Sequence, residues 1–300
     1  LSSETPPPTP PEEDDYADRS GGGRLLVQFF LVPLLVVAVC VGVFFLFSML
    51  TFERKSPSDY LSDIRSGSAN QRWQSAFELS RAVAKVRSDD QRRRLGRETL
   101  AIFESLHPDR PQDREVQRYL ALVLGRLRYA PAAPALERAA AGIDSETRLY
   151  SVWALGMLGN RSATPLILQA SSSEDAGERK MAAYVLGKLG DPRAVPRLKA
   201  MTGDPAADVR WNAAVALAEL GDASSRDVLE SMLDRASIER QAPGIKPSQT
   251  EDAILNALKA VTLIRDKAAL PAIQRLEMKD SDMKVRDAAR SARLAIEAAP

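Results

Sequence analysis

ERKMAAYVLGKLGDPRAVPRLKAM, residues 178–201, reads as two short helices around a tight turn. Leu186 and Leu189 stand three apart with apolar residues one turn earlier, the stripe of an amphipathic helix. The same pattern recurs as VQRYLALVLGRL (116–127), TRLYSVWALGML (147–158) and VRWNAAVALAEL (209–220), and each of the four segments begins 31 residues after the one before. Gly125, Gly156, Gly187 and Ala218 therefore share one repeat position. Leu124, Leu155, Leu186 and Leu217 share a second, and Leu127, Leu158, Leu189 and Leu220 a third. A fixed period of this size means stacked units, each burying a face only against its neighbours.

The punctuation agrees. Gly159, Gly190 and Gly221 stand just past the first helix of their units, where a left-handed C-cap belongs. Asn160, Asp191 and Asp222 follow, suited to the turn and to capping what comes next. A shorter second helix is expected over 162–170, 193–201 and 224–233, with Pro165 and Pro196 in the first turn, where a missing N–H costs little.

Weaker copies flank these units. QRWQSAFEL (71–79) matches the start of a first helix, and its second helix is expected from Gln91 to Leu106. Downstream, EDAILNALKAV (251–261) and KAALPAIQRL (267–276) repeat the pair, and VRDAARSARLAI (285–296) is a last first helix. Val209 and Ala253 are 44 apart, that is 31 plus an insertion of 13. The insertion falls within 235–250, where Pro243, Gly244 and Pro247 predict an exposed loop and a specificity element.

These strings resemble HEAT repeats, most closely the short Ala/Leu/Gly-rich subtype also found in phycobilin lyases and many bacterial proteins. The resemblance is strong over 116–234, moderate over 250–296 and weak over 60–106. It implies an all-α solenoid of helix pairs and, because such proteins mostly bind proteins, a binding role. It says little of activity.

Composition points the same way. The chain has 300 residues, 41 Lys+Arg against 40 Asp+Glu, and a net charge of +1, which gives no global argument for nucleic acid. One His and one Cys leave no ligand cluster for zinc, haem or iron–sulfur, and no disulfide within the chain. No phosphate-binding glycine loop occurs. His107, before Pro108, reads as an exposed loop residue and Cys40 as a packing residue. No catalytic, cofactor-binding or metal-ligating residue is expected, and the chain is not expected to be an enzyme.

Ahead of the repeats lie two other regions. Residues 1–24, with Pro6, Pro7, Pro8, Pro10, Pro11, an acidic run and Gly21–Gly23, predict a disordered tail. Leu1 in place of Met points to missing residues or an unusual start codon. The stretch 25–50, opened by Leu25 and closed by Leu50, carries no charge and predicts one transmembrane helix, with Pro33 near its entry. Its length, its acidic flank and the lack of a small-x-small site argue against a cleaved signal. Residues 51–70 read as a juxtamembrane linker and 71–300 as the solenoid. Arg19 and Arg24 precede the span while Arg54, Lys55 and Arg65 follow it, close to a tie. The further basic run, with Arg92, Arg93 and Arg94 at its densest, suits an anionic cytoplasmic leaflet. The expectation is a tail outside, a solenoid in the cytoplasm, and lipid headgroup contact at Arg92–Arg94.

Arg72, Arg148, Arg179, Arg210 and Arg286 recur at one position and predict structural bonds to loop carbonyls or to an Asp of the neighbouring unit, such as Asp175 or Asp208. Trp73 and Trp211, one residue on, predict packing against the next unit, and Trp153 a core position. The second helices are expected to line the inner face, which then carries Glu137, Arg138, Gln169, Gln274 and Arg275, with Arg197, Lys199 and Glu230 as the partner face. That mixed-charge surface lacks the basic track of a nucleic-acid channel. The functional expectation is a membrane-anchored scaffold or adaptor for a protein partner at a bacterial membrane. The alternatives are an accessory subunit recognised through its span, for which Gly42 and Ser48 offer small surfaces, and a bilin lyase-like, tetrapyrrole-handling protein, suggested by the resemblance alone.

Overall fold

A computed structural model describes residues 27–51 and 55–298 of the chain, so the predicted tail and Leu25 fall outside the described residues. The chain divides into two units at Lys55 and Ser56. In the first, a π-helical turn (Val27–Leu31) leads into helix α1 (Val32–Thr51), with Pro33 in the opening turn of α1. Twenty residues rise about 30 Å, the thickness of a bilayer's hydrocarbon core. Across Phe29–Leu46 no residue is buried.

The second unit is an α-solenoid, with no strand among the described residues. Its first helices are α3 (Ala69–Ala82), α5 (Pro111–Leu127), α7 (Ser145–Leu158), α9 (Ala176–Leu189), α11 (Ala207–Glu219), α14 (Pro247–Leu263) and α16 (Met283–Glu297). The second helices are α4 (Asp89–Ser105), α6 (Ala133–Ala140), α8 (Thr164–Ala170), α10 (Val195–Met201), α12 (Arg226–Ser231) and α15 (Leu270–Lys279). Two short helices are additional: α2 (Pro57–Ser66) and α13 (Arg235–Gln241). The repeat leucines Leu124, Leu155, Leu186 and Leu217 are fully buried.

Two expectations change here. Residues 57–66, within the predicted linker, are helical. The Ser56 hydroxyl accepts from the Asp59 N–H while the Asp59 carboxylate accepts from the Ser56 N–H at 2.7 Å, and Leu61 and Ile64 are fully buried. Each of these two reciprocal bonds satisfies a donor that the helix start leaves open. The predicted 235–250 loop likewise contains α13, capped by Asp234 and anchored by the fully buried Ile238. Only a short loop is left between α13 and α14.

The turns follow the expected chemistry. Gly159, Gly190 and Gly221 have φ of +69°, +62° and +77°. The side chains of Asn160, Asp191 and Asp222 accept from the N–H groups of Ser162, Arg193 and Ser224. Arg128 and Arg265 occupy the same left-handed position at φ +51° and +52°. A left-handed L-residue costs about 1–2 kcal/mol, partly offset by the greater unfolded-state entropy of glycine. Arg265→Gly is therefore expected to raise stability by about 0.5–1 kcal/mol, read as a higher denaturant midpoint.

The glycines of the 31-residue repeat sit where successive first helices meet. A Cβ added at Gly125 would lie 2.9 Å from Ala154 Cα, one at Gly156 2.9 Å from Val185 Cγ2, and one at Gly187 2.8 Å from Ala216 Cβ. Successive first helices thus pack closely, against backbone at Gly125 and Gly187 and against the Val185 side chain at Gly156, while second helices of successive units barely meet. Spaces of about 290 and 280 Å³ open between α6 and α8 and between α4 and α6.

Candidate partner-binding face

The recurring arginines tie each unit together and to the next. Arg148 Nη1 donates to the carbonyls of Gly142 and Ile143, while Nε and Nη2 reach Glu178 at 3.1 and 2.5 Å. Arg179 repeats this on Ser173, Glu174 and both oxygens of Asp204, at 2.8 and 2.9 Å. Arg210 holds Asp204 and Pro205 carbonyls and Gln241 of α13, and Arg286 holds the Asp280 carbonyl. Arg72 bonds the Ile64 carbonyl and pairs with Asp113 at 2.9 Å. The structural role is as expected, but the acids differ. Asp175 is spent on capping α9 through the Glu178 N–H, and Asp208 pairs with Lys180 at 3.1 Å. In the unit of α5, where Gln117 replaces the arginine, Arg118 takes Asp144 instead.

The second-helix residues expected to meet a partner are largely engaged. Arg197 donates to the Ser171 hydroxyl and carbonyl at 2.8 and 2.6 Å, and Lys199 pairs with Asp222 at 2.9 Å. Glu137 accepts from Ser162, Arg138 pairs with Glu104, and Gln169 lines the α6–α8 space. Glu230, Gln274 and Arg275 are exposed. Of the basic run, Arg92 bonds the Val86 carbonyl, Arg93 pairs with Asp90 and Arg94 with Ser58 and Glu98. His107 is exposed, and Cys40 is exposed on α1.

The first-helix layer carries what the sequence reading missed. Phe77, Tyr119 and Tyr150, on α3, α5 and α7, stand edge to face with ring centres 5.4 and 6.3 Å apart. Trp153 and Tyr184 continue the row, half-buried and packed against the core. Lys188 Nζ lies 5.2 Å from the Tyr184 ring centre. Trp153, Tyr184 and Val215 are one repeat position, to which Phe77 also belongs. That shared register was the available signal. The row opens into a groove of about 500 Å³ between α9, α11 and α14, lined by Trp153, Tyr184, Trp211, Asn212, Ile245 and Asp252 among others. Trp73 packs against the core, and Trp211 is 5% exposed, so both tryptophans pack as expected.

Burial raises the Asp144 carboxyl, but bonds from the Thr147 hydroxyl and N–H and from Arg118 outweigh it, leaving it at about 2 against an ordinary 3.8. Lys199 and then Ser224 hold Asp222 at about 2 against 3.8. Arg179 lowers Asp204, and Arg193 lowers Asp191. Groups lowered in the folded state stabilise it fully above the unfolded value and lose that contribution as pH falls through the folded one. Stability is expected to be flat above about pH 5 and to decline between about pH 4 and pH 2. Asp144→Asn should remove on the order of 1 kcal/mol at pH 7 and flatten that decline, measured by denaturant midpoints across pH.

Comparison with known proteins gives the fold. Residues 163–243 match the family model "HEAT repeats" and residues 147–173 match "PBS lyase HEAT-like repeat". No curated protein matches the sequence. Among solved structures, the complex of CpcE and CpcF of phycocyanin lyase from Nostoc sp. PCC7120 is 18% identical, with 82% of this chain and 96% of that chain covered, at a TM-score of 0.52. YibA of E. coli is 14% identical over 81% of this chain and 82% of that one, at 0.49. A designed armadillo repeat protein is 16% identical over 81% and 100%, at 0.38. The chain is a helical-repeat solenoid of HEAT-like units.

Proposed function

We propose that the chain is a membrane-anchored scaffold that docks a protein partner on the first-helix face of its solenoid. The observation that carries this is the aromatic row Phe77–Tyr119–Tyr150–Trp153–Tyr184, left half-exposed on the rigid, closely packed layer. Rigid aromatic side chains give large contact area at small entropic cost, which is why they dominate binding hot spots. The mechanism is binding rather than chemistry.

In this reading α1 crosses a bacterial membrane once, with the tail outside and the solenoid in the cytoplasm, and Arg92–Arg94 lie near lipid headgroups. Anchoring concentrates whatever the face holds at the bilayer. HEAT-like repeats generally mediate protein contacts, which supports the adaptor role. The likeness to phycocyanin lyase is one of fold, and a tetrapyrrole reading has no site residue behind it.

The test is purification of the tagged chain from its native membranes in mild detergent, with mass spectrometry of what accompanies it. Wild type is expected to bring one partner near equal stoichiometry. Tyr150→Asp with Trp153→Asp should cut recovery at least about tenfold, since two hot-spot aromatics each carry about 1–2 kcal/mol. Arg197→Ala with Glu230→Ala should leave it unchanged. A partner that survives the aromatic changes but is lost when α1 is exchanged for an unrelated apolar helix would establish the accessory-subunit reading instead.

A further inference from the structure

The 31-residue repeat breaks at one place, and the groove lies there. Gly125, Gly156 and Gly187 let each first helix seat against the next, but their counterpart on α11 is Ala218, 2% exposed, whose Cβ forbids the same approach. The insertion that follows adds α13 and a loop before α14, and α11 and α14 pack less closely than the pairs before them. Ile245 from the inserted loop and Gln249 from the first turn of α14 border the opening, so the insertion builds the site rather than decorating it.

The polar groups around this groove are unevenly spent. Lys180 is paired with Asp208 and Lys188 with Glu219. Asp252 lines the groove exposed and without an ion pair, the neighbouring Lys284 being held by Glu251 at 3.2 Å. The Trp211 indole N–H has no acceptor although the side chain is 95% buried by its 5% exposure. With that nitrogen buried, Trp211 offers a ligand ring surface and not its N–H. Asn212 uses its amide nitrogen on the Asp208 carbonyl at 2.7 Å and keeps its oxygen free. Asn256, at the same repeat position on α14, has neither group engaged.

We infer that this groove takes an extended peptide segment of the partner that carries a lysine or arginine opposite Asp252. Its main chain meets the Asn212 and Asn256 amides, and its apolar side chains lie against Trp153, Tyr184 and the Trp211 ring. The charge balance selects the occupant: once the two lining lysines are paired, the charge left over in the lining is the Asp252 carboxylate, with Lys284 near it but ion-paired to Glu251, and this disfavours an acidic segment. Main-chain recognition by donors and acceptors with apolar pockets between them is how extended peptides are held. The inference rests on the adaptor reading and specifies its partner.

The test is selection of a random twelve-residue phage-displayed library on the full chain in lipid nanodiscs. Enriched sequences are expected to carry Lys or Arg at a fixed position among apolar residues. A synthetic peptide of that sequence should bind at least tenfold more weakly to Asp252→Asn, a change at an exposed side chain. On binding, the indole N–H resonance of Trp211 should shift, and that of Trp73 should not. An acidic consensus, no consensus, or a basic peptide whose binding survives Asp252→Lys overturns the inference. The membrane purification separates the two levels. A partner lost with Tyr150 and Trp153 but no peptide selected leaves the adaptor standing without this groove, whereas a partner indifferent to those residues removes both.

Discussion

Gly187→Val is expected to destabilise the solenoid by about 3 kcal/mol, the upper end of what overpacking a close-packed interior costs. A Cβ at this position meets Ala216 Cβ at 2.8 Å, Ala216 Cα at 2.9 Å and Glu219 Oε2 at 2.7 Å. Only the last belongs to a flexible side chain, and it is already held by Lys188. The helix backbones must separate, and the buried leucines of both units lose contact with them. Gly187→Ala sets two effects against each other. Alanine gains up to about 1 kcal/mol of helix propensity, and the clash costs more than that. The net is a smaller loss of the same sign. Because a solenoid's stability is a sum of units and their interfaces, the damage should appear first between α9 and α11. Hydrogen exchange should show faster exchange there than in α14–α16. Gly187→Val stability equal to wild type would mean the first helices are not in backbone contact.

Asp204→Ala is expected to cost about 3 kcal/mol, at the lower end for an ion pair broken on one side, because Asp204 and Arg179 are only 9% and 14% exposed. The variant strips Arg179 of two charge-assisted bonds while leaving its guanidinium fixed on the Ser173 and Glu174 carbonyls. It also removes the acceptor for the Ala206 N–H at the start of α11. Arg179→Ala with Asp204→Ala should cost less than the sum of the single changes, since the double variant leaves no uncompensated buried charge. Denaturant unfolding of the four chains measures the coupling. Additive losses would show the pair to be independent contacts rather than one tie between units.

Much of the fold was legible because the repeat is written in residues whose physics is local. Gly190 at a left-handed φ, Asp191 on the Arg193 N–H and Pro196 in the opening turn of α10 each act within a few residues of themselves. Helix α2 was not legible as part of the stack, because Leu61 and Ile64 give too few apolar positions to set a period, and its Ser56–Asp59 cap was the only sign. The close packing of the first helices was less legible. A hydrophobic stripe tells which side of a helix is buried, but not which of two helices packs closest to its counterpart in the next unit. Gly125, Gly156 and Gly187 held that information: a mid-helix glycine costs about 1 kcal/mol, so its recurrence at one repeat position marks a close backbone approach. The arginine partners were right in kind and wrong in identity, because Asp175 and Asp208 are drawn off by a helix start and by Lys180.

The most direct measurement is site-specific photocrosslinking of the full chain in its native membrane, with benzoylphenylalanine placed in turn at Tyr150, Tyr184 and Glu230. The account predicts one discrete adduct of the same mass from the two first-helix positions and none from Glu230 on α12. An adduct from Glu230 alone would place the partner on the second helices and contradict the first-helix assignment.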